Sequence, residues 1–117
     1  MIEKIIYDYL KKNLKVKVCL ETPDPEPKEY VIFERTGGDK SNYLSNAVIA
    51  IQSLSTSLLK TIELNEKVKR SMENMDMLES ICKVKLNSDY NFTDTNRKKY
   101  RYQAVFEIKY YEEENHG

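Results

Sequence analysis

Residues 99–111 read KYRYQAVFEIKYY and alternate between two series of side chains. One series is aromatic or aliphatic and the other is mostly charged or polar: Tyr100, Tyr102, Ala104, Phe106, Ile108 and Tyr110 against Lys99, Arg101, Gln103, Glu107 and Lys109. A period of two is typical of a β-strand that buries one face and exposes the other. Such a strand would be roughly 40 Å long, more than the core of a small domain requires, so we expect one end to project.

The remaining elements follow from the same kind of periodicity. Apolar residues at helical spacing predict helices at 2–12 and 58–75, and alternation or short apolar runs predict strands at 15–20, 30–36, 42–55 and 81–88. A hairpin turn is expected at Gly37 and Gly38. Short connections between strands favour antiparallel pairing, and two amphipathic helices need a sheet face to cover. The order α-β-β-β-α-β-β therefore predicts an α+β two-layer sandwich, in which two helices pack on a mainly antiparallel sheet of about five strands.

Length and charge limit the classes of protein to which the chain can belong. At 117 residues it is expected to form one domain, residues 1–117, with a disordered tail at 112–117. Nineteen basic and nineteen acidic residues give a formal net charge of zero, so no overall field attracts nucleic acid or an anionic membrane. The sequence also lacks a signal peptide and an apolar run of about 18 residues. We therefore expect no membrane partner and no specific nucleic acid.

The sequence offers few residues for catalysis or for a metal. Its one histidine, His116, lies in the terminal tail, which excludes Ser/His/Asp and Cys/His catalytic arrangements in the body of the chain. Cys19 and Cys82 are expected to be small buried side chains rather than a disulfide or zinc ligands. Asp89 and Asp94 lack the pattern of a calcium-binding loop and are interpreted as part of a solvated turn. We therefore predict no enzyme, no cofactor and no bound metal.

Two segments are candidates for contact with a partner. The polar segment SDYNFTDTN, residues 88–96, carries Tyr90 and Phe92 and is predicted to be an exposed loop, where aromatic side chains often form contacts. Residues 21–29 are acidic and contain three prolines, which favour a stiff, extended conformation. For both segments, ordinary packing within the monomer is the alternative.

The basic run RKKYR, residues 97–101, suggests a small nucleic-acid-binding module as a competing class. A platform for single-stranded nucleic acid combines cations and aromatic rings on one surface. In the predicted strand, Arg101 lies on the face opposite Tyr100 and Tyr102, which argues against this function. A binder of this type would also lose affinity steeply as the salt concentration rises.

The segment LNSDYNFTDTNRKKYRYQAVFEIKYY, residues 86–111, resembles the tail terminator, tail completion or minor tail proteins of long-tailed bacteriophages and prophages. A less specific likeness covers most of the remaining chain, including ETPDPEPKEYVIFERTGG and NAVIAIQSLS. The resemblance implies an α+β fold and a structural protein of the virion tail, present in the host bacterial cytoplasm during assembly. Its subunits would form a hexameric ring on the tail tube protein, stop tube polymerisation and join the tail to the head connector. A head-side completion or connector protein is the alternative.

The resemblance also implies which residues form contacts. In the predicted loop, the implied contact residues are Asp89, Tyr90, Asn91, Phe92 and Asp94. In the turn and strand that follow, the implied exposed charges are Arg97, Lys99 and Arg101, which would face a neighbouring subunit or the tube.

Overall fold

The computed structural model describes residues 1–40 and 43–112 and contains two α-helices and five β-strands. In chain order the elements are α1 (Ile2–Asn13), β1 (Lys17–Cys19), β2 (Tyr30–Asp39), β3 (Leu44–Ser55), α2 (Leu58–Glu73), β4 (Ile81–Asn91) and β5 (Tyr100–Tyr111). The predicted order of helices and strands is confirmed. The predicted α+β class, with two helices and a five-stranded, mostly antiparallel sheet, is confirmed as well.

The strands form a sheet in the order β1-β2-β3-β5-β4. Pairing is antiparallel between β2 and β3, between β3 and β5, and between β5 and β4. β1 and β2 are instead parallel, with Lys17 opposite Tyr30. The reason is the long connection at residues 20–29, which returns the chain to the starting end of β1 before β2 begins. β1 is also shorter than predicted, and Leu20, expected on its buried face, is exposed.

Both helices pack on the same face of the sheet. The buried side chains of α1 and α2 contact alternate residues of β2, β3 and β5, which together form the main core. Its most buried members, each at most 1% exposed, include Phe33, Ile49, Phe106, Ile6, Leu10, Val68 and Met72. The intervening strand residues point to the other side, here called the open face, which carries among others Ile32, Ala50, Leu54, Gln103 and Val105.

α2 begins at Leu58, as predicted, and the preceding residue, Ser57, caps it. Ser57 has an extended backbone, and its Oγ accepts a hydrogen bond from the Lys60 N–H at 3.2 Å. This bond satisfies one of the N–H groups that have no partner inside the helix. α2 ends at Glu73, and a turn of 3-10 helix, Asn74–Met77, follows and buries Met75 in the core.

The connection between β2 and β3 differs from the predicted hairpin turn. Gly37 and Gly38 lie inside β2 and pair with β3, and the strand continues to Asp39. Gly38 has a φ of 128°, and a Cβ at this position would lie 2.2 Å from the Asn46 carbonyl oxygen. The glycine pair therefore permits a close approach of two strands beside the register shift that follows Arg35, rather than a turn.

The predicted disorder of residues 112–117 falls mostly on 113–117, which lie outside the described residues. Glu112 is described, and its carboxylate accepts a hydrogen bond from the Ser45 Oγ at 3.0 Å. The chain therefore contacts the beginning of β3 immediately after β5.

Replacing Phe106 by alanine should destabilise the fold by about 3–5 kcal/mol, because the ring is fully buried between the sheet and the helices and its removal leaves a cavity. Denaturant titration at equilibrium measures this loss. Leu86 on the neighbouring strand is 37% exposed, and Leu86→Ala is a control that should cost about 1 kcal/mol or less. Equal losses for the two variants would contradict the placement of Phe106 in the core.

Candidate functional site

The segment predicted as a polar loop, residues 88–96, begins as strand, and residues 88–91 belong to β4. β4 extends to Asn91, so Asp89, Tyr90 and Asn91 pair with β5 instead of lying in a loop. The loop prediction is wrong here because polar composition says nothing about a pairing partner that lies beyond the turn. β5 supplies that partner, and the resulting hairpin is part of an elongated molecule of 47 × 27 × 23 Å.

The tip of the hairpin is a short turn between Asp94 and Lys99. These two residues exchange two backbone hydrogen bonds of 3.0 Å each. The Asp94 carboxylate also accepts the N–H groups of Asn96 and Arg97, at 3.2 Å each. A carboxylate that bonds the backbone two and three residues ahead is a common means of closing a turn. Within the monomer, Asp94 therefore shapes the tip.

Asp89 connects the hairpin to α2. Its carboxylate accepts hydrogen bonds from the Asn65 Nδ2 at 2.6 Å and from the Lys69 Nζ at 2.5 Å. Lys69 also pairs with Glu66 at 2.7 Å. The hydrogen bond to Asp89 is the main reason that the pKa of Lys69 is raised. Asn65 is buried, so its side-chain amide needs a hydrogen-bond partner, and Asp89 supplies one. The contacts of Asp89 with Asn65 and Lys69 hold the hairpin against α2 and are here called the Asp89 brace.

The opposite side of the hairpin carries the hairpin cluster, which consists of Tyr90, Phe92, Arg101 and Gln103. The Tyr90 and Phe92 ring centroids are 6.0 Å apart with the planes at 87°, and each residue is 41% exposed. The Arg101 guanidinium carbon lies 4.7 Å from the Phe92 ring centroid, and its Nε donates to the Phe92 carbonyl oxygen at 2.8 Å. The Gln103 Nε2 donates to the Tyr90 hydroxyl. Both rings are therefore held by residues of β5.

The hairpin cluster places a cation and two aromatic rings on the same face of the sheet, which bears on the nucleic-acid alternative. Within β5, Arg101 alternates with Tyr100 and Tyr102 as predicted. β4 nevertheless brings Tyr90 and Phe92 to the side of the sheet on which Arg101 lies. A cation and two rings thus share one surface. The alternation within β5 is therefore no longer evidence against a nucleic-acid-binding surface. The sequence could not reveal this arrangement, because the register between β4 and β5 includes two shifts.

Residues 21–29, here called the proline arm, cross one end of the open face. The Glu26 carboxylate accepts a hydrogen bond from the Tyr30 hydroxyl at 3.0 Å and lies 2.7 Å from the Lys99 Nζ. These contacts join the proline arm to β2 and to the hairpin. The hydrogen bond from Lys99 is the main cause of the lowered pKa of Glu26. Burial, and then the hydrogen bond to Glu26, raises the pKa of Tyr30 to about 12.

A second, small apolar cluster lies at the end of the open face that the proline arm crosses. It consists of Cys19, Tyr30 and Leu54, with Ile32 partly buried against it. Tyr30 is only 2% exposed, although it points away from both helices. The sequence did not indicate this cluster or the role of Glu26, because both depend on the path of the proline arm.

The remaining predicted contact residues differ in exposure and in the contacts that their side chains already make. The Asn91 side chain accepts the backbone N–H two residues ahead at 3.0 Å. Arg97 has an 84% exposed side chain, and its Nε lies 3.9 Å from the Asp94 carboxylate. The structure thus groups the two aromatic residues of the hairpin with Arg101, places Asp89 on the helix side and leaves Arg97 at the tip.

Among residues 1–40 and 43–112, no three His, Cys, Asp or Glu side chains lie close enough together to hold a metal ion. Cys19 is buried, whereas Cys82 is exposed, contrary to expectation, because a register shift displaces it on the outer strand. A groove of about 590 Å³ between α1 and α2 is lined by Tyr9, Lys67 and Arg70 among others. In the described part of the chain, no helix is both long and apolar enough to cross a membrane.

No protein-family model and no curated protein matches the chain. The resemblance to phage tail proteins therefore rests on the residues quoted from β4 and β5.

Replacing Asp89 by alanine should lower the free energy of unfolding by about 1–3 kcal/mol, because it removes two hydrogen bonds to α2 and leaves the buried Asn65 amide without this partner. Equilibrium denaturation measures the change. Asp8→Ala is the matched control, since that carboxylate pairs with Lys4 in solvent and should contribute about 0.5 kcal/mol or less. A loss no larger than that of the control would show that the brace does not stabilise the fold.

The Glu26 carboxyl should titrate below its ordinary pKa of 4.5, and Lys99→Met should raise that pKa, because Lys99 is its principal partner. The ¹³C chemical shift of the carboxyl carbon across a pH series measures both values. Since the pKa is lowered by folding, the contact stabilises the protein at neutral pH and is lost as the pH falls through the lowered pKa. Arg97→Met, at the same tip but without this contact, should leave the titration unchanged. Identical curves for both variants would contradict the contact.

Proposed function

We propose that the chain is a structural assembly protein of a phage or prophage tail. In this function, several copies close into a ring on the tail tube, end tube polymerisation and join the tail to the head connector. The observation that carries the proposal is the hairpin cluster, in which Tyr90 near the end of β4 and Phe92 just beyond it are each 41% exposed. The resemblance to tail terminator proteins is most specific over the same residues.

The hairpin cluster has the properties of a protein contact surface. Arg101 holds one ring and Gln103 holds the other, so these side chains lose little freedom when a partner binds. The Asp89 brace restrains the hairpin against α2 from its other side. Exposed aromatic side chains and arginines are enriched among the residues that dominate binding energy at protein interfaces.

Two other functions would use parts of the same surface. A head-side completion protein would need a similar contact and differs in binding the head connector rather than the tail tube. A nucleic-acid-binding module is favoured by the position of Arg101 beside the Phe92 ring. However, Arg101 already donates to a backbone carbonyl, and the net charge of zero provides no overall attraction for phosphates. The tail function is therefore preferred.

The proposal predicts that the purified protein forms rings, of about 83 kDa for six copies of the 13.8 kDa chain, or caps isolated tail tubes. Phe92→Gln should weaken this assembly by about tenfold or more, because it removes an exposed ring that the contact would bury. Native mass spectrometry over a concentration series, with negative-stain microscopy of the same samples, measures ring formation, and microscopy of tubes measures capping.

Leu59→Gln provides the control, since Leu59 is 66% exposed on α2 and its loss removes apolar surface from a different part of the molecule. This variant should assemble like the unmodified protein. Failure both to form rings and to cap tubes would end the tail proposal. Binding of single-stranded DNA that weakens steeply with salt would favour the nucleic-acid function instead.

A further inference from the structure

The open face carries opposite charges at its two ends. At one end, the proline arm contains four acidic residues and one lysine: Glu21, Asp24, Glu26, Glu29 and Lys28. Glu26 is paired with Lys99, whereas the other three acidic residues are exposed and form no ion pair with a described residue. Glu29 lines the groove between α1 and α2, on the helix side of the sheet. Glu21 and Asp24 are therefore the unpaired acidic residues of the proline arm that remain for a contact elsewhere.

The other end of the open face carries the lysine patch, which consists of Lys83, Lys85 and Lys109. Together with Glu107 they line a shallow depression of about 130 Å³. Lys83 stands directly opposite Lys109 on the paired strand, and like charges in this position destabilise a sheet. Within the described residues, no lysine of the patch forms an ion pair. Lys85 stands opposite Glu107, which offsets one of the three charges, so the patch and Glu107 together carry two more positive than negative charges. An acidic partner would offset this remaining positive charge.

The proline arm and the lysine patch of one molecule cannot meet. The contacts of Glu26 with Tyr30 and Lys99 hold the proline arm near the start of β5. Lys109 lies near the end of β5, ten residues after Lys99, which is roughly 33 Å farther along at the usual rise per residue. Complementary charges that are separated in one molecule can meet between two copies arranged head to tail.

We propose that the proline arm of one copy docks on the lysine patch of the next copy. The inference rests on the proposed ring and names the two surfaces of its repeated contact. A contact between two different surfaces closes into a ring when the rotation from one copy to the next permits it. The proline arm is not the extended segment that the sequence predicts, since it bends at residues 24–25 and 28–29. Its three prolines each fix a backbone φ angle before binding, which reduces the entropy lost on docking. Glu21 and Asp24 are the residues expected to pair with Lys83 and Lys85.

Charge reversal on each surface tests the contact. The patch variant, Lys83→Glu with Lys85→Glu, should weaken self-association at low salt by about tenfold or more, as measured by sedimentation velocity. The arm variant, Glu21→Lys with Asp24→Lys, should weaken it to a similar degree. An equimolar mixture of the two variants should associate again, because each then offers the charge that the other lacks. Restored association also shows that both variants are folded.

The control is Lys60→Glu with Lys67→Glu on the exposed side of α2, which should associate like the unmodified protein. The docking would be overturned if the unmodified protein stays monomeric at low salt. It would also be overturned if both charge-reversal variants associate as strongly as the unmodified protein. If such a protein still caps tail tubes, the proposed function stands and the ring uses another surface. A patch variant that associates normally but loses binding to single-stranded DNA would assign the lysines to nucleic acid and also overturn the docking.

Discussion

The architecture depends on the pairing of β5 with a neighbouring strand on each side. β5 pairs with β3 over all twelve of its residues and with β4 from Tyr110 to Tyr102. Because both backbone edges are bonded, the alternation along β5 becomes two surfaces, with Phe106 in the core and Arg101 on the open face. A slip by one residue would exchange the two series and place charged side chains under the helices, at a large free-energy cost.

The features that the sequence predicted are those that depend on near neighbours in the chain. The burial of Phe106 follows from alternation within β5, and the start of α2 at Leu58 follows from the helical spacing of its apolar residues. The brace between Asp89 and Lys69 joins residues twenty positions apart and depends on how the hairpin lies against α2. No local pattern contains that information, since it arises only when separate elements pack.

The same limit applies to the candidate site, whose exposed residues could be predicted but whose grouping could not. Tyr90 and Phe92 were recognised as exposed aromatic residues, but their grouping with Arg101 required the register between two strands. At Gly37 and Gly38 the residue types are misleading, because a glycine pair is typical of a turn but these two lie inside β2. In both places the residue types mark a special position in the chain. The conformation and contacts of these residues depend on tertiary packing.

β4 is one of the two outer strands of the sheet, and the path of its free edge is irregular. Register shifts after Ile81 and after Leu86 displace Cys82 and Asn87 from regular pairing. A regular outer strand offers backbone donors and acceptors to any other strand and so promotes aggregation without limit. Bulges and lysines on such an edge disfavour that pairing. Copies of this chain would therefore meet through side chains, whose shape can restrict the number of copies, rather than through strand addition, which would lead to fibres.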